Sequence, residues 1–316
     1  MNNEWKHKIF SVQDGDFEQA ALEIFRFQAV NNPVYRAFTD ALQVKPDSVQ
    51  SLKGIPFLPV RFFEPALVFE SSGTTGASSS RHYIKDPGIY ETSFISCFEK
   101  FYGPVNEWCI LALLPSYLQR GNSSLVYMAN KLIGQSRHPQ SGFYLDEFEK
   151  LSKTLATLEK ANQKTLLLGV TFALLDFAVS FPMQLRNTIL METGGMKGRR
   201  EEMIRDEVHG VLQQAFGVSA IHSEYGMTEL LSQAYSKGDG IFRCPPWMKI
   251  LMRDEEDPFY IKDQGAGTIN VIDLANIYTC SFIATDDAGK LYPDGSFEVL
   301  GRVDGSDIRG CSLMVV

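Results

Sequence analysis

An alternation constrains this chain more than anything else in it. Residues 108–114 (Trp-Cys-Ile-Leu-Ala-Leu-Leu) form an unbroken apolar run of strand length. That is the pattern of a strand buried on both faces, not of one with a wet side. Residues 165–170 read as a second buried strand and 188–192 and 218–222 as a third and a fourth strand, and helices are predicted around them over 124–133, 145–161, 171–181 and 200–216. Buried strands separated by helices specify a largely parallel α/β sheet with helices as its layers. Ligands of such sheets gather beyond the carboxyl ends of the strands. The segments there are 115–124, Thr171, Thr193-Gly194-Gly195 and 223–229, and a site assembled from them is the expectation.

Upstream, helices are predicted over 14–30, with Asp14 or Asp16 as the cap, over 33–42, with Pro33 in the first turn, and over 86–102. Residues 53–63 hold two prolines and several aromatics and read as extended and packed. From residue 231 the texture changes. Pro and Gly become frequent and short strands are predicted over 249–252, 267–273, 281–284 and 296–300, which suggests an antiparallel, barrel-like subdomain. The expected organisation is an α/β core over 1–230 and a β-rich subdomain over 231–316.

Between an apolar run at 66–69 and a β-capable segment at 81–85 lies Glu70-Ser71-Ser72-Gly73-Thr74-Thr75-Gly76-Ala77-Ser78-Ser79-Ser80. Gly73 and Gly76 can take positive φ and let the backbone curl. Curled backbone N–H groups, with serine and threonine hydroxyls as further donors, make an anion cradle suited to a polyphosphate. A flexible Ser/Gly linker is the plainer reading of the same composition. The loop is not a Walker loop, because no Lys-Ser or Lys-Thr follows Gly76, and it does not fit the dinucleotide pattern G-x-G-x-x-G.

Bulk properties narrow the partners. With 44% hydrophobic and 22% charged residues among 316, the chain has the makeup of a globular protein able to bury a core. A net charge of −8 argues against general affinity for nucleic acid or anionic membrane. The five cysteines (Cys97, Cys109, Cys244, Cys280, Cys311) are odd in number and widely spaced, which speaks against a disulfide framework or a zinc site and suits a reducing cytoplasm. The N-terminus lacks the apolar core of a signal peptide, and no run is long enough for a membrane span.

The segment after the fourth predicted strand is His222-Ser223-Glu224-Tyr225-Gly226-Met227-Thr228-Glu229. Together with the Ser/Thr/Gly loop it resembles the signature pair of the adenylate-forming superfamily of acyl-CoA synthetases, luciferases and peptide-synthetase adenylation domains. Thr285-Asp286-Asp287-Ala288-Gly289 is similar to that superfamily's Thr-Gly-Asp-x-Gly segment, and Gly301-Arg302-Val303-Asp304 to its Gly-Arg-x-Asp segment. All four occur in the family's order. Within the superfamily, 114–125 and Arg309-Gly310-Cys311 resemble the acyl-protein synthetase (LuxE-like) branch.

The resemblance implies a fold, an N-terminal adenylation domain with its antiparallel β subdomain completing the nucleotide site, and a chemistry, ATP- and Mg²⁺-dependent activation of a carboxylic acid as acyl-AMP. It implies that Ser71, Ser72, Gly73, Thr74, Thr75 and Gly76 embrace the β- and γ-phosphates. Glu224, Tyr225 and Gly226 belong to the nucleotide-binding turn, with Tyr225 stacking on adenine. Thr228 would donate to the α-phosphate and Glu229 would hold Mg²⁺, which takes oxygen ligands. Gly194 and Gly195 would line the base pocket, Asp287 would accept from the ribose hydroxyls, and Arg302 would lie beside it. Against these roles stand plainer ones: a core tyrosine at 225, a solvated helix residue at 229, a turn acid at 287 and an ordinary turn at 194–195.

Two departures bear on the reading. The family's loop ends in Pro-Lys, where this chain has Ser78-Ser79-Ser80-Arg81, so Arg81 or Lys85 would supply the cation. The family's mobile C-terminal lid, which carries a lysine for adenylation, is not expected here, since the chain stops shortly after Asp304. Lys197 is the better substitute for that lysine, ahead of Arg120. Cys311 is the candidate acyl acceptor; nine residues from Arg302, an extended tail reaches at most about 30 Å. Arg309 would favour its thiolate. The alternative is a small apolar residue in a terminal strand.

Three functions follow. The first is activation of a fatty acid and its transfer to a cysteine of this protein or of a partner acyl-CoA or fatty-acid reductase. The second is a CoA ligase of phenylacetate-CoA ligase type. The third is a nucleotide-binding, non-catalytic subunit of a reductase complex.

Overall fold

Strands at 109–113 and 165–170 are buried at every position, as their unbroken apolar composition demands. The computed structural model describes residues 2–62, 69–70, 81–82, 84–115, 123–194, 203–254 and 256–303. In chain order the helices are α1 (Asn2–Phe10), α2 (Phe17–Asn31), α3 (Pro33–Ala41), α4 (Pro87–Tyr102), α5 (Ser124–Ser136), α6 (Phe148–Lys160), α7 (Thr171–Ser180) and α8 (Arg205–Phe216). The strands are β1 (Leu58–Pro59), β2 (Phe69–Glu70), β3 (Arg81–His82), β4 (Cys109–Leu113), β5 (Gly142–Phe143), β6 (Thr165–Val170), β7 (Thr188–Thr193), β8 (His222–Tyr225), β9 (Ala234–Ser236), β10 (Phe242–Arg243), β11 (Met248–Arg253), β12 (Ile261–Lys262), β13 (Gly265–Asp273), β14 (Phe282–Leu291) and β15 (Phe297–Arg302). They fall into two units: Met1–Phe94 with Gly226–Gln233 and Arg243–Val299, and Ile95–Tyr225 with Ala234–Phe242 and Leu300–Val316.

The second unit carries the parallel sheet, in the order β9-β8-β7-β6-β4-β5. Neighbours from β8 to β5 run parallel, and β9 returns antiparallel to β8. Gly169 marks how closely α7 folds back on β6: a Cβ there would lie 2.7 Å from Leu174 Cγ. Of the two serines that could cap α5, Ser123 and Ser124, it is Ser123 whose Oγ accepts from Val126 N, at 3.4 Å.

The fourth parallel strand lies further on than its predicted place at 218–222. α8 ends on Gly217, whose φ of 64° is open to glycine, and residues 218–221 stay outside the strand, with the Ser219 carbonyl accepting from Gln213 Nε2 at 2.9 Å. Pairing with β7 starts only at His222, so Glu224 and Tyr225 are strand residues and not part of the following turn.

The first unit holds α1–α3 and an antiparallel sheet, β12-β11-β13-β14, to which β1 adds a parallel edge. Gln28, wholly buried on α2, donates to the carbonyls of Asn276 and Ile277, both at 2.9 Å, and accepts from Ser281 N at 3.0 Å. Phe25, Tyr35 and Phe282 pack ring against ring around it. α1 has no counterpart among the predicted helices, because its sequence is short and largely polar. Trp5 packs on Phe27 at 5.4 Å and Phe10 stands edge-on to Trp247 at 5.1 Å. Asp16 takes the cap position of α2 but makes no side-chain bond there. β14 runs to Leu291, well past the predicted end at 284.

Candidate functional site

In the second unit the carboxyl ends of β6, β7 and β8 gather a polar cluster. Thr171 follows β6 directly and opens α7; its hydroxyl lies 2.8 Å from the Gly194 carbonyl and 3.1 Å from Glu192 Oε2. Glu192 is buried near the end of β7, 3.8 Å from His209 Nε2 and 4.0 Å from Arg205 Nε. Those two residues are four apart on α8, so one helix face presents both. Burial pushes the Glu192 carboxyl up, but His209 and Arg205 overcome it and the net shift is down.

Thr193 and Glu224 are register partners on β7 and β8, and the Thr193 hydroxyl donates to the Glu224 carboxylate. Burial raises Glu224 to about 7, against that hydrogen bond and with help from Glu192. Gly194 leaves β7 with φ of 72°, a left-handed conformation natural for glycine. Tyr225 is buried and meets the Phe242 ring at 6.1 Å and 64°. Arg302 ends β15 and is half-buried.

In the first unit, Gly226–Gln233 is a short segment held at many points. Leu230 N closes a turn on the Met227 carbonyl at 3.1 Å. Asn276 Nδ2 donates to the Glu229 carbonyl at 2.7 Å. The Asp273 carboxylate accepts from Leu231 N at 2.8 Å, Ser232 N at 2.9 Å, Ser232 Oγ at 2.6 Å and Ala275 N at 3.1 Å. Thr228 is half-buried, and Glu229, 4% exposed, is in a turn, so it is not a solvated helix residue. Asp287 is 1% exposed within β14, which excludes the turn-acid alternative. Lys85 places its ammonium 4.8 Å over the Tyr278 ring.

Ser71, Ser72, Gly73, Thr74, Thr75, Gly76, Gly195, Lys197 and Cys311 lie outside the described residues, as do Arg120 and the side chain of Arg81. Thr171 stands where the sequence places it, beyond the carboxyl end of β6, and within each unit the structure adds polar residues that the sequence reading does not single out: Glu192, Arg205 and His209 in one, Asp273 and Asn276 in the other. The signal was present in the carboxylates. Glu192 and Asp273 are single acids at or near the end of strands buried along most of their length, where an unpaired charge would be costly.

Among the described residues no group of three or more His, Cys, Asp or Glu could cage a metal ion. A lone carboxylate such as Glu229 fits Mg²⁺ of the kind that arrives on a polyphosphate and keeps most of its ligands from it. No described helix is long and apolar enough to cross a membrane.

No protein-family model and no curated protein matches the chain. Solved structures do. A 2-hydroxyisobutyryl-CoA ligase in its postadenylation state, in complex with R3-HIB-AMP, superposes with a TM-score of 0.63 at 12% identity, over 92% of this chain and 68% of that one. The fold is that of the N-terminal domain of adenylate-forming enzymes. ATP-bound MatB from Rhodopseudomonas palustris gives 0.55 at 18% identity, over 74% of this chain and 47% of its own. McyG A-PCP complexed with phenylalanyl-adenylate gives 0.50 at 15%, over 84% and 51%. The chain thus spans about half to two thirds of the length of these adenylate-forming neighbours.

Proposed function

We propose that this protein activates a carboxylic acid with ATP. A substrate carboxylate oxygen attacks the α-phosphorus, the bond from that phosphorus to the bridging oxygen breaks, and pyrophosphate leaves with the electron pair. The product is an acyl-adenylate. The observation that supports this most is the adenylation fold, with Tyr225 to Glu229 leaving the carboxyl end of parallel strand β8.

The chain's task is to hold reactants in line and to neutralise charge spreading over phosphate oxygens. Thr228 is the donor to the α-phosphate. Tyr225 stacks on adenine from the last position of β8, with Glu224 one residue earlier on the strand and Gly226 opening the turn. Gly194 and Gly195 admit the base, since any side chain there would obstruct it. Asp287 accepts from the ribose hydroxyls, and Arg302 is assigned to the nucleotide as a cation. The 71–76 loop binds the outer phosphates, and Lys197 brings a cation to the reacting phosphate. Mg²⁺ supplies charge neutralisation on the polyphosphate, and Glu229 is the residue we assign to hold it.

In the second half-reaction a thiolate attacks the acyl carbonyl and AMP departs. We assign the thiol to Cys311, with delivery to a reductase partner, and the acid to the fatty class. The CoA ligase reading has its own support, because one neighbour is a 2-hydroxyisobutyryl-CoA ligase. An acyl-labelling experiment separates the two. Incubation with ATP, Mg²⁺ and radiolabelled fatty acid, with and without CoA, should give a hydroxylamine-sensitive label on the protein that Cys311→Ser abolishes. Unchanged labelling of Cys311→Ser, or acyl-CoA release without protein label, contradicts the cysteine assignment.

A further inference from the structure

We infer that Asp273 is the positioning residue for Thr228 and Glu229: from the end of β13 its carboxylate fixes the backbone that follows them, so the two side chains are held ready for nucleotide. The inference rests on the adenylation reading of Thr228 and Glu229.

A carboxylate offers about four lone-pair directions. Each of the four is taken by a donor: Leu231 N and Ser232 N on Oδ2, Ser232 Oγ and Ala275 N on Oδ1. Asp273 is wholly buried, and hydrogen bonds to a charged acceptor in such a place are the strong kind. Its own backbone is fixed by the sheet, with N donating to the Ser281 carbonyl at 2.8 Å and register pairing to Met248. The brace therefore ties the 226–233 segment to a rigid strand.

Neighbouring contacts complete it. Asn276, three residues on, takes the Glu229 carbonyl, and the Met227–Leu230 turn closes the near side. Ser232 Oγ also lies 3.0 Å from Ser93 Oγ, which accepts from Trp247 Nε1 at 3.0 Å. Backbone groups at 227, 229, 230, 231 and 232 are thus satisfied by fixed partners. Reactive groups displaced by about 1 Å can lose on the order of 100-fold in rate, so a brace of this kind matters to catalysis without touching substrate.

Asp273→Asn is the direct probe. One side-chain oxygen becomes an amide with two donors, which must face backbone N–H groups that are themselves donors. Two readouts are needed: acid-dependent pyrophosphate–ATP exchange per folded molecule, and amide hydrogen exchange over 227–232. Faster amide exchange confined to this segment is expected, with the maximal exchange rate down about 10- to 100-fold and the KM for ATP within about threefold. Ser232→Ala removes one donor and should give a smaller change of the same kind, which keeps the test decisive if Asp273→Asn does not fold. Leu155→Ala, in a buried position on α6, controls for general loss of stability and should leave the rate per folded molecule unchanged.

Unaltered amide exchange at 231 and 232 overturns the brace. Faster amide exchange with an unchanged rate per folded molecule overturns the positioning role. A wild-type protein with no pyrophosphate exchange overturns the adenylation reading and with it the role assigned to Thr228 and Glu229, while amide exchange still decides whether the brace exists.

Discussion

Glu192 and Glu224 stand on adjacent parallel strands and point to opposite faces of one sheet, and their carboxyls are pushed in opposite directions. Register pairs Glu192 with Ser223 and Thr193 with Glu224, so the period of two separates the acids. Arg205 and His209 face the Glu192 carboxylate at 4.0 and 3.8 Å, while Glu224 has a threonine hydroxyl.

The contribution of Glu224 to stability should therefore fall as pH rises across the mildly acidic range. Glu224 rises from 4.5 to about 7 on folding, so the native state holds its proton longer than the unfolded chain. Stability from this group is complete below about 4.5 and is lost as pH rises through 7. Glu224→Gln removes that loss and should stabilise the protein at pH 8 relative to pH 4.5 by on the order of 1–3 kcal/mol. Asp273 contributes with the same sign, rising from 3.8 to about 6, so the variant flattens the profile only in part. Denaturant unfolding at a series of pH values measures this. Identical profiles for variant and wild type would refute the assignment.

Glu192→Gln should cost about 2–4 kcal/mol, because it leaves the buried Arg205 guanidinium facing a neutral amide in place of a carboxylate. Thermal unfolding at pH 7 checks it, and a change below about 0.5 kcal/mol would mean that the ion cluster is energetically neutral.

The close approach of β6 to α7 can be tested by a cycle. Gly169→Ala pushes a methyl against Leu174 and should destabilise by about 1–3 kcal/mol. Added to Leu174→Ala, the same substitution should cost far less, giving a coupling of about 1 kcal/mol or more. Additive effects would place the strain elsewhere.

Thiol chemistry offers a further check. Burial pushes Cys109 up to about 11 and Cys280 up to about 12, and Cys97 is buried. None of these three should react with a thiol reagent at pH 8 in the native protein, since the thiolate is the reactive form. Peptide mapping after brief labelling measures it; modification of Cys109 or Cys280 at the rate of a free thiol would contradict the packing.

Much of this architecture can be read from residue pattern, for identifiable reasons. β4, β6 and β7 are legible because a strand buried on both faces leaves a continuous apolar run. β8 is misplaced by the sequence because Val218 and Ile221 look like strand residues, yet the helix stop at Gly217 takes up 218–221. β14 is cut short because Asp286-Asp287-Ala288-Gly289 has turn composition. The strand continues there with Gly289 close against its neighbour, where a Cβ would lie 2.5 Å from the Glu298 carbonyl. The signature segment is legible as a motif, but its support is not. Asp273 acts on residues 41 and 42 positions earlier, a relation that no local pattern carries.

Acid-dependent exchange of labelled pyrophosphate into ATP tests the central claim most directly. With Mg²⁺ and a panel of fatty and aromatic acids, the account predicts exchange that requires an acid and that Thr228→Ala and Glu229→Gln reduce by about 100-fold or more. ATP binding without exchange for any acid, or exchange indifferent to both substitutions, would contradict it.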